Sequence, residues 1–292
     1  MKIQKWLDNN TRSLSGRLIA VTGTTGGIGR ELCDILACLG ASLILMDRSE
    51  KRSAAFRDEL LKKYPNISVT CIGIELSDME SVKEATDKLI SLSPDSFIHN
   101  AGAYSIPRET CATGYDNVFQ INFVSPYYII RKLLPTLKEK RGQVEIMGSI
   151  AHRYSKTRKN DVDFSKESRA SRVYGNAKRY LMFSIFELMK DEADVSFSVV
   201  HPGITFTNIT AHYPKIIFAI IKHPMKLIFQ KPRRACLGAI LGLFEGCGYH
   251  EWIGPRLFDI WDPPTKKRLK GVSEEESLYI GNAASEIYYK LN

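Results

Sequence analysis

The stretch RVYGNAKRY places Tyr174 four residues ahead of Lys178. Residues four apart lie on one face of a helix, so a phenol and an ammonium at these positions can meet or share a bound group. The ammonium would stabilise the phenolate and lower the pKa of the phenol from about 10, which suits acid–base chemistry. A second pair with this spacing, Tyr128 and Lys132, lies in the apolar run SPYYIIRKLL and is typical of packing.

A hydroxyl group also follows a predicted strand upstream of Tyr174. Ser149 comes just after the apolar run QVEIMG, about 25 residues before Tyr174. It could donate a hydrogen bond to a substrate oxygen and hold that oxygen beside the phenol. The small residues Gly175 and Ala177 would let a ligand approach the helix. An ordinary amphipathic helix is the alternative interpretation of the same spacing.

The elements that must position these groups alternate along the chain. Short β-rich runs (LIAVT, SLILMD, ISVTCIGI, SFIHN, QVEIMGS, VSFSVVHPG) are separated by longer amphipathic stretches from residue 18 onward. Strands that are nearly continuous in apolar residues and alternate with helices predict a parallel sheet covered on both faces. The expected fold class is α/β, a single-domain Rossmann fold with a doubly wound sheet of about seven strands. Residues 1–292 form that domain, with an N-terminal extension over 1–15, a lid over 208–232 and a C-terminal helix over 273–292.

The first predicted strand is followed by a glycine cluster, TGTTGGIGRELCDILACLGA. Gly23, Gly27 and Gly29 allow a sharp turn, let backbone N–H groups approach a pyrophosphate, and let the next helix pack closely on the sheet. This placement favours dinucleotide binding over a plain turn. No G-K-[ST] follows, which excludes a P-loop nucleoside triphosphatase.

Charged residues end the second and third predicted strands. Asp47 could accept hydrogen bonds from the adenosine ribose hydroxyls and repel a 2′-phosphate, whereas the guanidinium of Arg48 could bind that phosphate. NAD(H) is therefore favoured and NADP(H) stays open; Asp47 could instead cap the next helix. Glu75 could accept from the adenine amino group or lie on the surface.

Composition limits the partners and the compartment. The chain has 292 residues, 44% hydrophobic residues and a net charge of +9, but its basic residues are dispersed without a nucleic-acid-binding motif. Six cysteines form no C-x-x-C pair, which predicts reduced thiols and no metal site. The polar N-terminus and the absence of a long apolar run predict a cytoplasmic protein.

In order, these motifs resemble the short-chain dehydrogenase/reductase family over about residues 16–250. TGTTGGIG fits T-G-x-x-x-G-x-G, HNAG fits N-N-A-G with His99 replacing the first Asn, and QINFVSP, IMGSIAH, YGNAK and HPGITFT follow. The resemblance implies an oxidoreductase that moves a hydride between a nicotinamide ring and an alcohol or carbonyl carbon.

The resemblance also implies roles for individual residues. The catalytic group would be Ser149, Tyr174, Lys178 and Asn122, with Asn122 kinking its helix and holding a water that leads from Lys178 to solvent. Pro202 and Gly203 would stop the chain at the crevice. The expected cofactor-binding residues are Gly23, Thr25, Gly27, Ile28, Gly29, Asp47, Arg48, Glu75, Leu76, Asn100, Ala101, Gly102, Tyr174, Lys178, Pro202, Gly203 and Thr207.

The substrate side is less specific. Residues 213–230 are apolar with interspersed lysines and lie where the family has its variable lid, so an apolar alcohol, aldehyde or ketone is expected. The same composition suits a helix at a membrane surface. The Ser149-to-Tyr174 interval and the C-terminal segment resemble the retinol-dehydrogenase-like branch. A non-catalytic dinucleotide-binding sensor or scaffold is the rival function, and a nucleotide-sugar epimerase is disfavoured by the glycine spacing; the number of subunits is left open.

Overall fold

A twisted sheet forms the centre of the protein. The computed structural model describes residues 2–203, 230–271 and 273–292. Within these ranges the sheet has eight strands in the order β3-β2-β1-β4-β5-β6-β7-β8. Their bounds are β1 Leu18–Thr22, β2 Ser42–Asp47, β3 Val69–Gly73, β4 Ser96–His99, β5 Gln143–Met147, β6 Ser196–Val200, β7 Glu251–Leu257 and β8 Trp261–Arg268.

Seven of these strands pair in parallel, as the sequence predicts, and the last pairs antiparallel with β7. The sheet agrees with the predicted number of about seven strands, with β8 as one antiparallel addition. Pro263 and Pro264 lie inside β8 and argue against a strand at the sequence level. They are tolerated because β8 is the edge of the sheet, where a missing N–H breaks no ladder bond on the open side.

Helices cover both faces. They are α1 Ile3–Asn10, α2 Gly27–Cys38, α3 Glu50–Lys63, α4 Met79–Leu92, α5 Asn117–Phe119, α6 Ser125–Glu139, α7 Ala170–Asp191, α8 Pro232–Ala235, α9 Leu237–Glu245 and α10 Glu274–Leu291. Side chains alternate across each strand, so Ala20 joins the core beneath α4, α6, α7 and α10. Ile19 and Val21 join the opposite core beneath α1, α2, α3 and α9.

The N-terminal and C-terminal segments both pack on this frame. Trp6 and Leu7 of α1 are buried in the core beneath α1, α2, α3 and α9, so part of the predicted N-terminal extension packs on the domain. The helix α10 buries Ile280 and Ala284 in the core on the other face of the sheet, which contains Ala20. Ser273 caps the N-terminus of α10. Among the described residues, no helix is both long and apolar enough to cross a bilayer.

Candidate functional site

A cavity of about 480 Å³ opens at the carboxyl ends of the central strands. It lies where the strand order reverses, because β1 is flanked by β2 on one side and β4 on the other. Many of the residues expected to bind a cofactor line it. They are Gly23, Thr25, Gly27, Ile28, Gly29, Asp47, Arg48, Glu75, Leu76, Asn100, Ala101, Gly102, Tyr174, Lys178 and Pro202.

Some predicted site residues lie behind or beside this cavity. Ser149 follows Gly148, which lines it, and Asn122 lies behind Gly102. Gly203 packs near Gln230, whose amide nitrogen would lie 2.9 Å from a Cβ at this glycine. Thr207 and nearly all of the predicted lid lie outside the described residues.

The glycine loop is closed so tightly that a side chain would not fit at two of its positions. A Cβ at Gly29 would lie 2.1 Å from the Gly23 carbonyl oxygen and 2.7 Å from Asn100 Nδ2. Gly23 itself has φ +71° and would bring a Cβ within 2.9 Å of Ala101 Cα. The loop can therefore pass directly beneath α2, whose N-terminal backbone faces the cavity.

The loop is fixed to the end of β4 by a small polar network. Asn100 donates from Nδ2 to the carbonyl oxygens of Thr22 and Gly23 at 3.0 and 3.1 Å. The Thr22 hydroxyl accepts from the backbone N–H groups of Asn100 and Ala101. His99 is fully buried beside Thr22 and does not line the cavity, and burial together with nearby Lys178 lowers its pKa well below the ordinary value.

Asp47 lines the cavity, but protein donors already occupy its carboxylate. The residue is 4% exposed. Its Oδ1 accepts from the N–H and hydroxyl of Thr25 at 3.0 and 3.1 Å. Its Oδ2 accepts from the hydroxyls of Thr24 and Ser53. In the structure this carboxylate ties β2 to the glycine loop, and its predicted role toward the ribose stays a prediction.

Two arginines border the cavity beside this carboxylate. The Arg48 side chain is 82% exposed, with Nε 3.7 Å from Glu75 Oε2, a pair that contributes little in water. Glu75 Oε1 accepts from the N–H and hydroxyl of Ser77. Arg52, which the sequence analysis missed, donates from Nη2 to the Thr25 carbonyl oxygen at 3.0 Å. The sequence feature that could have identified Arg52 is its position in the first turn of the helix after β2.

Tyr174 projects from the first turns of α7 and is hydrogen-bonded to Ser149. The prediction that Lys178 lowers the pKa of the Tyr174 phenol is wrong in this structure. Burial raises the pKa of Tyr174 to about 12, and the Ser149 hydrogen bond offsets only part of that rise. A phenolate is costly in a low-dielectric site, so Tyr174 is a protonated donor at neutral pH.

Lys178 lies one turn farther along α7 and is 2% exposed. Its Nζ donates to the Met147 carbonyl oxygen at 2.8 Å and lies 5.7 Å from the centroid of the Tyr174 ring. Burial lowers the pKa of Lys178 to about 7. Its charge is therefore only partly present at neutral pH and is gone at the higher pH where the phenol titrates, so it does not lower the pKa of the phenol.

Asn122 lies in a π-helical turn, Gln120–Val124, that interrupts the helix before α6. Its Nδ2 donates to the carbonyl oxygens of Ala103 and Val118, both at 2.8 Å, and its Oδ1 accepts from Ala103 N at 3.3 Å. These bonds hold the segment after β4 against the π-helical turn and α5. A Cβ at Gly102 would lie 2.8 Å from Asn122 Oδ1, so only glycine fits between them. The water-holding role stays a prediction.

The second Tyr-x-x-x-Lys pair lies elsewhere. Tyr128 is buried in α6 and packs against Tyr288 of α10, with ring centroids 5.7 Å apart. Lys132 Nζ lies 5.8 Å from the centroid of the Tyr128 ring. Neither residue lines the cavity.

Sequence reasoning also missed residues on the Tyr174 side of the cavity. Tyr104 meets the Tyr174 ring edge-on at 5.3 Å between centroids, and Ile106 lies beyond it in the same wall. Met147 ends β5 and Gly148 follows it, and both residues line the cavity. The last two were signalled by their position at a strand end. Within the described ranges, no three His, Cys, Asp or Glu side chains form a group that could hold a metal ion.

A family model and many curated proteins match this chain, and two of those proteins illustrate the likeness. The family model described as short chain dehydrogenase matches residues 17–215. The chain is 28% identical over 210 residues to short-chain dehydrogenase TIC 32 A, chloroplastic, of Brassica napus, covering 66% of this chain and 65% of that protein. It is 27% identical over 202 residues to retinol dehydrogenase 12 of Mus musculus, covering 68% and 64%. Each match thus spans a little under two thirds of the relative.

Solved structures share the fold. A short-chain dehydrogenase from Sphingobium yanoikuyae, in complex with NADPH, superposes with a TM-score of 0.61 at 18% identity, covering 77% of this chain and 84% of that one. At this identity the likeness supports the architecture alone.

Proposed function

The chain belongs to the short-chain dehydrogenase family, and from that premise we propose that it is an NAD(P)-dependent oxidoreductase. It would transfer a hydride between a nicotinamide ring and the alcohol or carbonyl carbon of a small apolar substrate. The observation that carries the proposal is the juxtaposition of Tyr174, Lys178 and the Ser149 hydroxyl beside one cavity at the carboxyl edge of the sheet.

The cavity suits a dinucleotide. Its wall at α2 offers helix N-terminal N–H groups to a pyrophosphate across glycines that leave no room for a side chain. At the other end, Lys178 uses one of its three ammonium donors on Met147 among the contacts of the described residues. Its other donors are free to bind ribose hydroxyls. When bound, the nicotinamide would supply the hydride.

The residues of the chain would supply the proton and the orientation. Tyr174 is protonated at neutral pH and can donate its proton to an oxygen that becomes an alkoxide during carbonyl reduction. When a substrate binds, Ser149 would turn its single hydroxyl proton from that phenol to the substrate oxygen, which then accepts two hydrogen bonds. Because the phenol holds its proton strongly in the chain itself, Tyr174 is already in the protonation state that carbonyl reduction needs near pH 7.

The sequence favoured NAD(H), on the premise that Asp47 is open to the ribose. Its four hydrogen bonds from protein donors argue against that premise. Arg48 and Arg52 meanwhile bring two guanidinium groups to the same rim, and guanidinium groups bind phosphate well. We therefore propose that NADP(H) is the preferred cofactor and that NAD(H) binds more weakly.

The substrate proposal rests on the apolar lid sequence and on the resemblance to retinol dehydrogenase 12. Ile106 adds an apolar group to the cavity wall beyond Tyr104. A small apolar aldehyde or ketone would suit these surroundings. The lid as a membrane contact and the cytoplasmic location also stay proposals, and one relative carries a chloroplastic name.

The test of the function is a screen of NADPH and NADH oxidation against apolar aldehydes and ketones of increasing chain length. We expect turnover of at least one substrate class with NADPH. Cofactor binding without turnover across the panel would favour the sensor or scaffold.

The cofactor preference is tested by titrating both cofactors with intrinsic tryptophan fluorescence. We expect a lower Kd for NADPH, and Arg48→Ala should weaken NADPH binding while leaving NADH binding nearly unchanged. Equal affinities, or tighter binding of NADH, would restore Asp47 as the dominant group. Asp47→Ala should then shift the preference toward NADPH.

A further inference from the structure

A buried ion pair joins the C-terminal helix to the turn that carries Ser149. Arg179, the residue after Lys178 on α7, is 6% exposed. Its Nε donates to Glu276 Oε1 at 2.7 Å, and its Nη2 donates to Glu276 Oε2. Its Nη1 donates to the His152 carbonyl oxygen at 3.1 Å. One guanidinium thus bridges the first turn of α10 and the 3₁₀ turn Ile150–Tyr154.

Glu276 orients that guanidinium from the other side. The carboxylate also accepts from the hydroxyl and N–H of Thr157, in the segment that leaves the 3₁₀ turn. Burial alone would raise the pKa of Glu276. The hydrogen bonds from Arg179 and Thr157 have the larger combined effect, so the pKa of Glu276 is lowered from its ordinary value. The carboxylate is therefore ionised at neutral pH, and the forked pair fixes the guanidinium in one plane.

The 3₁₀ turn in turn fixes Ser149. His152 Nδ1 lies 2.6 Å from the Ser149 carbonyl oxygen, and because a carbonyl only accepts, Nδ1 carries the proton. The Ser149 hydroxyl accepts from Ala151 N at 3.2 Å. On the far side, a Cβ at Gly175 would lie 2.3 Å from the Ala151 carbonyl oxygen, so α7 packs directly on the turn.

We infer that Arg179 and Glu276 are positioning residues, which hold the Ile150–Tyr154 turn so that the Ser149 hydroxyl stays against the Tyr174 phenol. The inference rests on the proposed function, because it takes Ser149 to act on the substrate oxygen. It also makes α10 part of the assembly of the active site. A misplacement of about 1 Å in a group that orients substrate can cost about 100-fold in rate.

A second arginine provides a matched control. Arg131 of α6 also ties α10 to the body of the protein: its Nη1 donates to the Tyr127 hydroxyl at 3.2 Å and to Ser285 Oγ at 3.4 Å. Its Cζ lies 4.5 Å from the centroid of the Tyr288 ring. Within the described chain, no hydrogen bond from Arg131 reaches the turn that carries Ser149. Loss of either arginine loosens α10, but only loss of Arg179 frees that turn.

The experiment compares Arg179→Met with Arg131→Met in NADPH oxidation with decanal. We expect kcat to fall about 10- to 100-fold in Arg179→Met and less than twofold in Arg131→Met, with the Kd for NADPH within twofold of wild type in both. An equal fall in kcat in both variants would mean that the Arg179–Glu276 pair only holds α10 on the protein and does not position Ser149. Unchanged kcat in folded Arg179→Met would overturn the inference.

A double-mutant cycle tests whether Arg179 acts through Ser149. In a Ser149→Ala background, Arg179→Met should cost less than threefold, because the hydroxyl that it positions is gone. A full-size effect in that background would contradict the inference. If Ser149→Ala itself keeps the wild-type rate while Arg179→Met does not, the role proposed for Ser149 has failed, and the inference fails with it.

Two further measurements keep the test decisive. If Arg179→Met does not fold, Arg179→Lys and Glu276→Gln replace it, since each keeps a polar group but breaks the forked pair. Amide hydrogen exchange over residues 150–154 needs no substrate, and it should speed up in the Arg179 variants and not in Arg131→Met. Unchanged exchange would overturn the inference even if the protein turned over no substrate in the panel.

Discussion

Asp47 and Lys178 are both buried at the carboxyl edge of the sheet, at opposite ends of one cavity, and they are stabilised in different ways. Asp47 accepts four hydrogen bonds from the glycine loop and α3. Within the described residues, Lys178 makes one hydrogen bond, to the Met147 carbonyl oxygen. Burial lowers its pKa to about 7. The carboxylate at the cofactor end is therefore saturated with protein partners, whereas the catalytic end keeps ionisable groups that are open to reaction.

The largest expected effect is at the catalytic end. Tyr174→Phe removes only the phenolic oxygen, so the fold and cofactor binding should survive. The turnover rate should fall by about two to four orders of magnitude, the usual cost of losing a positioned acid–base group. Steady-state kinetics together with a cofactor titration measure both parts.

The other Tyr-x-x-x-Lys pair is the control for this prediction. Tyr128→Phe should leave the turnover rate nearly unchanged, because Tyr128 packs against Tyr288 away from the cavity. A folded Tyr174→Phe enzyme with more than about a tenth of the wild-type rate would contradict the proton-donor role.

Lys178 should show its lowered pKa in the pH profile. If its ammonium is required, kcat/KM for carbonyl reduction should be highest below about pH 7 and should fall as pH rises through about 7, because burial makes Lys178 lose its proton there. Lys178→Ala should lose activity and bind the cofactor more weakly. A wild-type profile that stays flat from pH 6 to pH 9 would show that the ammonium is not needed in the free enzyme.

The tight glycine loop gives a smaller effect at the cofactor end. Gly29→Ala would press a methyl group to 2.1 Å from the Gly23 carbonyl oxygen and should lower the free energy of unfolding by about 1–3 kcal/mol. Gly26→Ala is the control for stability, since its Cβ would meet nothing closer than Gly23 O at 3.5 Å. Urea unfolding without cofactor compares the two, and equal stabilities would contradict the predicted overlap.

The smallest expected effect on the rate comes from Glu145 in β5, which no step of the proposed reaction uses. It is fully buried, neither of its carboxylate oxygens has a hydrogen-bond partner among the described residues, and burial raises its pKa well above the ordinary value. The native state therefore keeps it protonated. Its contribution to stability is complete below the unfolded-state pKa of about 4.3 and is lost as pH rises toward the raised native pKa.

Glu145→Gln should remove this loss. The wild-type free energy of unfolding should fall between pH 5 and pH 7 by more than that of Glu145→Gln, while the two enzymes turn over at similar rates. Thermal unfolding across this pH range provides the measurement. Parallel stability curves would show that Glu145 finds a partner in the folded protein.

The sequence alone determined much of the frame and the cofactor loop, because the signals are local. The bounds predicted for β1 and β2 agree with the structure, since continuous apolar runs extend over just those residues. The glycine spacing placed the loop at the start of α2. Tyr174 and Lys178 were identified by helical spacing and by the strand-end hydroxyl before them, and both line the cavity.

Only the tertiary structure decided how these groups are partnered. Asp47 meets Thr24 and Thr25, and Arg179 meets Glu276, across long sequence separations that no local pattern encodes. The phenol pKa was predicted in the wrong direction because an ammonium four residues away is visible in the sequence, whereas the depth of burial of both groups is not. Spacing along the chain shows which groups can meet. The packed fold determines how much water and how many other partners each group keeps, and those set its charge.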